Sequence, residues 1–319
     1  MNKKSLKLLL TLIIILTLAC IAPALLPTYW TTLLLLFFLY TAMAETYNFL
    51  YGFCGLLNLG LQMFVGFGGY VMAILTSNLG FSAWVALPIS GAISAILALA
   101  LSFLIYRMKG LFFAMGTFMA AWTFYYWFTN WSYVGGGWGM TVPTPLSYFD
   151  IYYASLTLAA TSTIIIYLVL KSRLGIKFRA IADDEEAAES YGVNIFQIKL
   201  IAWVLSASVA GLAGSLYFAY SGFIAPISAF TPYWSFTAMT STIIGGIRTL
   251  LGPIIGAFII VFLRQQFLVI FPGLSPLVFG IIMATTVLLA PQGILGIAPK
   301  IYRSLKIRLK SIKKIKILS

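Results

Sequence analysis

Five of the seven acidic residues in this chain fall between Asp183 and Glu189, in a sequence where only 8% of residues are charged. Asp183, Asp184, Glu185, Glu186 and Glu189 enclose Ala187 and Ala188, and Gly192 follows. Asp183 with Glu186 three residues later is a capping-box-like start, in which carboxylates accept orphan backbone N–H groups and are favoured by the helix dipole. Gly192 suits the left-handed conformation that ends such a helix, and Asn194 with Gln197 caps the next one. The spacing therefore predicts a water-facing helix of about two turns between two apolar spans. A solvated linker with a charge run is the plainer reading, but two successive cap signals stand against it. The chemistry such a helix offers is recognition by a partner outside the membrane.

Other polar groups lie within apolar runs. A charge at the bilayer centre costs at least ~2.5–3.5 kcal/mol, so Glu45 and Arg264 each need a polar partner or water. Arg264 reads either as a counter-charge to a substrate carboxylate or as a structural hydrogen-bonding group beside Gln265 and Gln266. Glu45, one turn from Asn48, reads first as structural. Asn58 and Gln62 sit among Gly60, Gly66, Gly68 and Gly69, and Gly245-Gly246 closes a second short apolar run.

Several chemistries are excluded. The chain has no histidine, which removes His-based triads and His-ligated metals. Cys20 and Cys54 lie in apolar stretches without CxxC spacing and read as inert buried thiols, so no metal site is expected. No nucleophile–base pair supports an intramembrane enzyme. There is no phosphate-binding Gly-x-x-x-x-Gly-Lys-Ser/Thr loop and no Gly-Lys dipeptide, so the chain has no standard nucleotide cradle. If ATP powers it, a separate subunit must hydrolyse the ATP.

The elements that carry these residues follow from hydropathy. A chain of 319 residues that is 61% hydrophobic, with mean hydropathy +1.01, reads as an all-α polytopic membrane protein. Apolar segments fall at about 8–26, 29–50, 55–76, 84–106, 111–130, 150–171, 199–220, 234–247, 251–271 and 274–297, giving about ten transmembrane or re-entrant helices. Lys3, Lys4 and Lys7 precede the first, which reads as an uncleaved span. With that start inside, Arg107 and Lys109, the loop from Lys171 to Lys199, Arg248 and the tail from Lys300 to Lys316 all fall on the same side. The opposite loops carry no Lys or Arg. Both termini are thus expected to be cytoplasmic in a multi-pass cell-membrane protein, and the net charge of +13 marks membrane faces in contact with lipid, not nucleic-acid binding. The expected division is a permease-type membrane domain over 1–298, with a cytoplasmic loop at 171–199, and a basic cytoplasmic tail over 299–319.

Segments 55–76 and 234–247 look unlike plain spans, being glycine-rich or short. Broken or re-entrant helices lining a path and close small-residue packing both fit them. Pro88-Ile89-Ser90-Gly91-Ala92 and Pro253-Ile254-Ile255-Gly256-Ala257 open spans of opposite direction after such segments, the pattern of a possible inverted repeat.

Three separated stretches resemble the permease subunits of ABC importers for branched-chain amino acids, the hydrophobic amino acid uptake family. They are Asn48 to Tyr70 with Gly52, Gly55, Asn58 and Gly60; Arg107 to Thr117 leading to Gly135-Gly136-Gly137-Trp138-Gly139; and Arg179 to Gly214 through Asp184-Glu185-Glu186-Ala187-Ala188. Pro291-Gln292-Gly293 adds a match near the end. The resemblance implies transport of branched-chain or other small neutral amino acids. It also implies a second homologous permease, two ATP-binding subunits that carry ATP and Mg, and an extracellular substrate-binding protein. It makes Asp183 to Gly192 the helix that docks on the ATPase, and the chain itself not an enzyme. The hypothesised path is lined by Asn48, Asn58, Gly60, Gln62, Gly66, Gly68 and Gly69, with Gly245 and Gly246 opposite. The competing reading is an ion-coupled secondary transporter or channel for a small polar solute, with Glu45 and Arg264 carrying the coupling.

Overall fold

The computed structural model of the chain describes residues 17–105, 108, 110–143 and 146–270, together with 277, 280, 281, 284, 285 and 293. The start of the first apolar segment, most of the segment at 274–297 and the basic tail at 299–319 lie outside the described residues.

The described chain is almost entirely helical. Helix α1 is described over 17–25. It is followed by α2 (Thr28–Cys54), α3 (Leu61–Ala73) with a π turn over Ile74–Asn78, α4 (Ala83–Ile105), α5 (Leu111–Asn130), α6 (Tyr148–Lys171), α7 (Arg173–Asp183) and α8 (Glu185–Ser190). Then come α9 (Ile195–Ser221), α10 (Pro226–Ala229), α11 (Tyr233–Gly245) and α12 (Gly252–Ile270). Strands β1 (Met140–Thr141) and β2 (Phe223–Ile224) form one small antiparallel pair. Among the described residues, four helices are long and apolar enough to cross a membrane: α2, α4 over Ala83–Phe103, α6 and α9.

The two irregular segments each hold a short helix. Gly55, at φ +67, ends α2, and residues 55–60 are not helical before α3 begins. Helices α3 and α11 have 13 residues each. At 1.5 Å per residue α11 is about 20 Å long and α3, which runs on through its π turn to Asn78, about 27 Å, both short of the ~30 Å hydrocarbon core. Helices that stop short of it would strand polar backbone ends in lipid, so both are wrapped by protein. Nearly all of α3 is buried, and so is almost every residue of α11 from Trp234 onward.

Loops assigned to one side of the membrane do meet. At one end of the bundle, Met140 and Thr141 pair with Ile224 and Phe223, and Val142 N–H donates to Gly222 O (2.9 Å). Tyr152 there donates to Ala19 O (2.8 Å) and Tyr148 to Thr31 Oγ1 (2.9 Å). At the other end, Arg248 meets Asp183. Residues 131–143 thus form short turns and a strand fastened to residues 222–224. Cys20 proves to be exposed, a departure from the expected buried thiol, while Cys54 is buried.

The largest correction falls in 171–199. One short helix was expected there, yet α7 precedes it. Leu174, Phe178 and Ile181, at i, i+4 and i+7, give α7 an inward stripe, and Phe178 packs on Phe49 of α2 (centroids 4.6 Å).

Candidate functional site

The acidic helix α8 is present with a shifted cap. Asp184, not Asp183, is its N-cap: the Asp184 carboxylate accepts from Ala187 N–H at 3.0 Å, and Glu185 and Glu186 occupy the first turn. Asp183 instead ends α7 and pairs with Arg248 (3.1 Å). Gly192, at φ +82, terminates α8, with Val193 N–H donating to Ala188 O (3.1 Å). Asn194 caps α9 by accepting from Gln197 N–H (3.0 Å), as the spacing predicts.

One face of α8 is fastened and the other is free. Ala188 is buried beneath it, and Lys199 Nζ donates to Glu185 Oε2 at 2.6 Å, with the Lys199 side chain only 10% exposed. Glu186, Ala187 and Glu189 are exposed, and Tyr191 just beyond them is 89% exposed. A short helix held this way presents acidic and aromatic groups on a fixed base.

Arg248 sits in the turn between α11 and α12, and sequence reasoning used it only as a loop charge. It has φ +63, a left-handed conformation that costs a non-glycine residue about 1–2 kcal/mol. Its backbone N–H donates to Asn48 Oδ1 (3.0 Å), and Asn48 Nδ2 donates to Thr249 O (2.8 Å). Its Nε donates to Gly52 O (2.9 Å), and its guanidinium also reaches Ala182 O. Asn48, grouped from sequence with a path, thus spends its amide holding this turn. The Gly245-Gly246 corner is tightened by Thr249 Oγ1, which donates to Gly246 O (2.7 Å).

The first residues of α3 and α11 meet in the core. Ser235 Oγ bonds to Gln62 Oε1, and both residues are buried. Asn58 Oδ1 accepts from Gly60 N–H (2.8 Å), while Leu59 N–H donates to Thr117 Oγ1 (3.2 Å). Asn58 Nδ2 has no hydrogen-bond partner among the described residues.

The glycines of this region mark close approaches. An added Cβ on Gly60 would strike the Thr117 backbone, on Gly66 the Phe230 ring, on Gly68 the Gly211 backbone and on Gly69 the Phe218 ring. Gly245 meets the backbone of Gly252 in the same way. In this conformation the junction is closed, and none of these five glycines borders open space.

Glu45 and Arg264 do not pair with each other. Arg264 of α12 sits over the Tyr233 ring (4.3 Å) and lies near Tyr40 OH (3.4 Å), and Tyr40 in turn stacks on Trp234. It has no carboxylate partner among the described residues. Glu45 of α2 is fully buried, and neither of its oxygens has a hydrogen-bond partner among the described residues. No group of His, Cys, Asp or Glu residues that could hold a metal occurs among the described residues.

Comparison with known proteins gives a consistent result. The sequence model described as branched-chain amino acid transport system / permease component matches residues 29–287. The chain is similar to the high-affinity branched-chain amino acid transport system permease protein LivM of Escherichia coli, 28% identical over 280 residues, covering 78% of this chain and 65% of LivM. It is also similar to a probable branched-chain amino acid transport permease protein LivH of Methanocaldococcus jannaschii, 34% identical over 141 residues, 41% of this chain and 44% of that one. A shorter match, 28% over 68 residues and 21% of each chain, is to the guanosine ABC transporter permease protein NupQ of Bacillus subtilis. The chain thus spans 65% of the length of LivM. No solved structure matches it.

Proposed function

The chain belongs to the family of branched-chain amino acid transport system permease components, and on that premise we propose that it is the translocation subunit of an ATP-driven importer. The solute is a branched-chain or other small neutral amino acid handed over by an extracellular binding protein. A second homologous permease completes the path, and two ATP-binding subunits carry ATP and Mg. Both termini and the segment 171–199 lie in the cytoplasm.

The observation that carries this reading beyond family membership is α8. It is capped by Asp184, ended by Gly192, anchored through Ala188 and Lys199, and leaves Glu186, Glu189 and Tyr191 outward. A transporter without a cytoplasmic motor has no general need for such a fixed, outward-facing acidic helix. Closure of the ATP-binding subunits shifts the population towards one facing of the permease, and release of ADP and phosphate restores the other. The differential contact that this shift requires is supplied at α8.

The path follows the junction where α3 and α11 begin. Parting of the Gln62–Ser235 contact uncovers Asn58, Gln62 and the hydroxyl-rich side of α11, polar groups able to exchange hydrogen bonds with a zwitterion. The glycines at 60, 66, 68 and 69 set how closely the wall packs. Arg264, held by aromatic rings, is the available countercharge for a carboxylate.

Reconstitution tests this. Proteoliposomes holding the permeases and ATP-binding subunits, with binding protein added, should accumulate labelled leucine only when ATP is present on the ATPase side. Uptake that needs no ATP and follows an imposed proton or sodium gradient would overturn the proposal.

A further inference from the structure

We propose that Arg248 is the positioning residue that passes movement of the cytoplasmic segment α7–α8 to the membrane helices. The inference rests on the importer reading above. It concerns how motion travels, which membership of the family leaves open.

Two distant stretches of chain, α2 and the end of α7, meet at this one residue. Its backbone is joined to α2 by the reciprocal pair with Asn48, in which Arg248 N–H donates to Asn48 Oδ1 (3.0 Å) and Asn48 Nδ2 donates to Thr249 O (2.8 Å). Its Nε donates to Gly52 O one turn further along α2 (2.9 Å). Gly52 is needed there, because a Cβ would lie 2.7 Å from Asn48 Oδ1 and 3.2 Å from Arg248 N. The remaining guanidinium nitrogens bond Asp183 Oδ1 (3.1 Å) and Ala182 O at the end of α7. Asp183 is directly followed by Asp184, the cap of α8. A shift of α8 therefore pulls on the α11–α12 turn and on the lower part of α2.

The two ends of this connection differ in strength. Asn48 is 1% exposed and pairs with backbone, so breaking its bonds would leave buried polar groups unpaired. The ion pair is open to water, with side-chain exposures of 50% for Arg248 and 76% for Asp183. Exposed pairs are easily made and broken, which suits a contact that changes during a cycle. The planar five-donor guanidinium reaches Gly52, Ala182 and Asp183 together, and a lysine has no such fork. Only Arg248, among non-glycine described residues, has positive φ, so its backbone is bent to aim this fork. Lys199–Glu185 is the second tether of α8 and leads to α9, so the two ion pairs connect α8 to different parts of the bundle.

The test uses the complete transporter in proteoliposomes, with ATP hydrolysis and leucine uptake measured on the same sample. Arg248→Gly relieves the positive φ and keeps the backbone N–H on Asn48 while removing the fork. The variant should assemble with the ATP-binding subunits and melt no lower than wild type. Its uptake per ATP hydrolysed should fall about fivefold or more. Asp183→Asn, which hardly changes shape, should lower the same ratio to a smaller extent, and Arg248→Asp with Asp183→Arg should recover part of what each single change loses. A merely structural role would lower the melting temperature and the amount of complex and leave the ratio alone. Arg248→Gly and Asp183→Asn both retaining the wild-type ratio, in a transporter whose uptake requires ATP, would overturn this inference and leave the importer reading standing. Wild-type uptake without ATP would instead overturn both.

Discussion

Two stretches of the chain share one plan. Each has a 27-residue helix, α2 or α9, then a break, then a 13-residue helix, α3 or α11, and the two short helices touch at their first residues through Gln62 and Ser235. The sequence fills the plan differently. Helix α3 carries Gly66, Gly68 and Gly69 and is fixed along its length by close contact with α9, where Gly68 meets Gly211 and Val65 meets Gly214. Ser215 Oγ lies 2.9 Å from Gly68 O at the same crossing. Helix α11 carries Ser235, Thr237, Thr240, Ser241 and Thr242, all buried, and is held at its last turn by Asn48 and Arg248. Helix α3 is locked against α9, whereas α11 is locked against α12, where Gly256 meets the Ser241 backbone, and bonded to α2 through Thr242 and Ala44 O (3.0 Å). Helices α11 and α12 therefore form one packed pair, and the turn that joins them is the part tied to Asn48.

That contrast can be broken from the α3 side with the largest effect. Gly68→Leu drives a branched side chain into the Gly211 backbone, an overpacking cost of about 3 kcal/mol or more where neither backbone can yield. Most of the protein should vanish from the monodisperse peak in detergent size-exclusion chromatography. A normal peak would mean that the crossing is not backbone-tight.

On the α11 side the effect should be smaller. Asn48→Ala leaves the Arg248 N–H and the Thr249 carbonyl without their partner, at about 1–3 kcal/mol for each group that stays dry. A clear fall in the thermal unfolding midpoint is expected with the fold retained. An unchanged midpoint would show that the turn is held otherwise.

Smaller again is Asp184→Ala, which removes one cap hydrogen bond and costs about 1 kcal/mol. Titrated ATP-binding subunits should bind the variant a few-fold more weakly, and Asp184→Ser should restore binding. The smallest change is Thr240→Val, because Thr240 Oγ1 has no hydrogen-bond partner among the described residues. The unfolding midpoint should stay level or rise slightly, since valine removes an unpaired buried hydroxyl together with its desolvation cost. A large loss would reveal a partner for α11 within the assembled transporter.

Hydropathy made the helices legible because burial in lipid demands long apolar runs. Segments such as 29–50, 111–130 and 199–220 lie within four residues of α2, α5 and α9 at either end. Local caps were legible too, as Asn194 with Gln197 shows. The shift from Asp183 to Asp184 was not. Adjacent carboxylates are equivalent in local chemistry, and the choice is made by Arg248, which lies 65 residues away and takes Asp183. Helix α7 left a readable signal in the spacing of Leu174, Phe178 and Ile181, masked by the basic residues around it. The Arg248–Asn48 contact and the Gln62–Ser235 junction join residues more than 170 positions apart, which no periodicity records. Asn48 was grouped with a translocation path, and its bonds to the Arg248–Thr249 turn could come only from the fold.

The central claim is that a fixed acidic helix couples this membrane protein to an ATPase, and co-purification tests it most directly. The tagged chain would be isolated from its native membrane, and the ATPase activity of the eluate compared between wild type and Glu186→Lys/Glu189→Lys, whose side chains are exposed and make no ion pair among the described residues. Recovery of ATP-binding subunits and ATPase activity with the wild type, and their loss with the double variant, is the predicted result. A wild-type protein that purifies without ATPase activity and still supports uptake in liposomes would contradict the account.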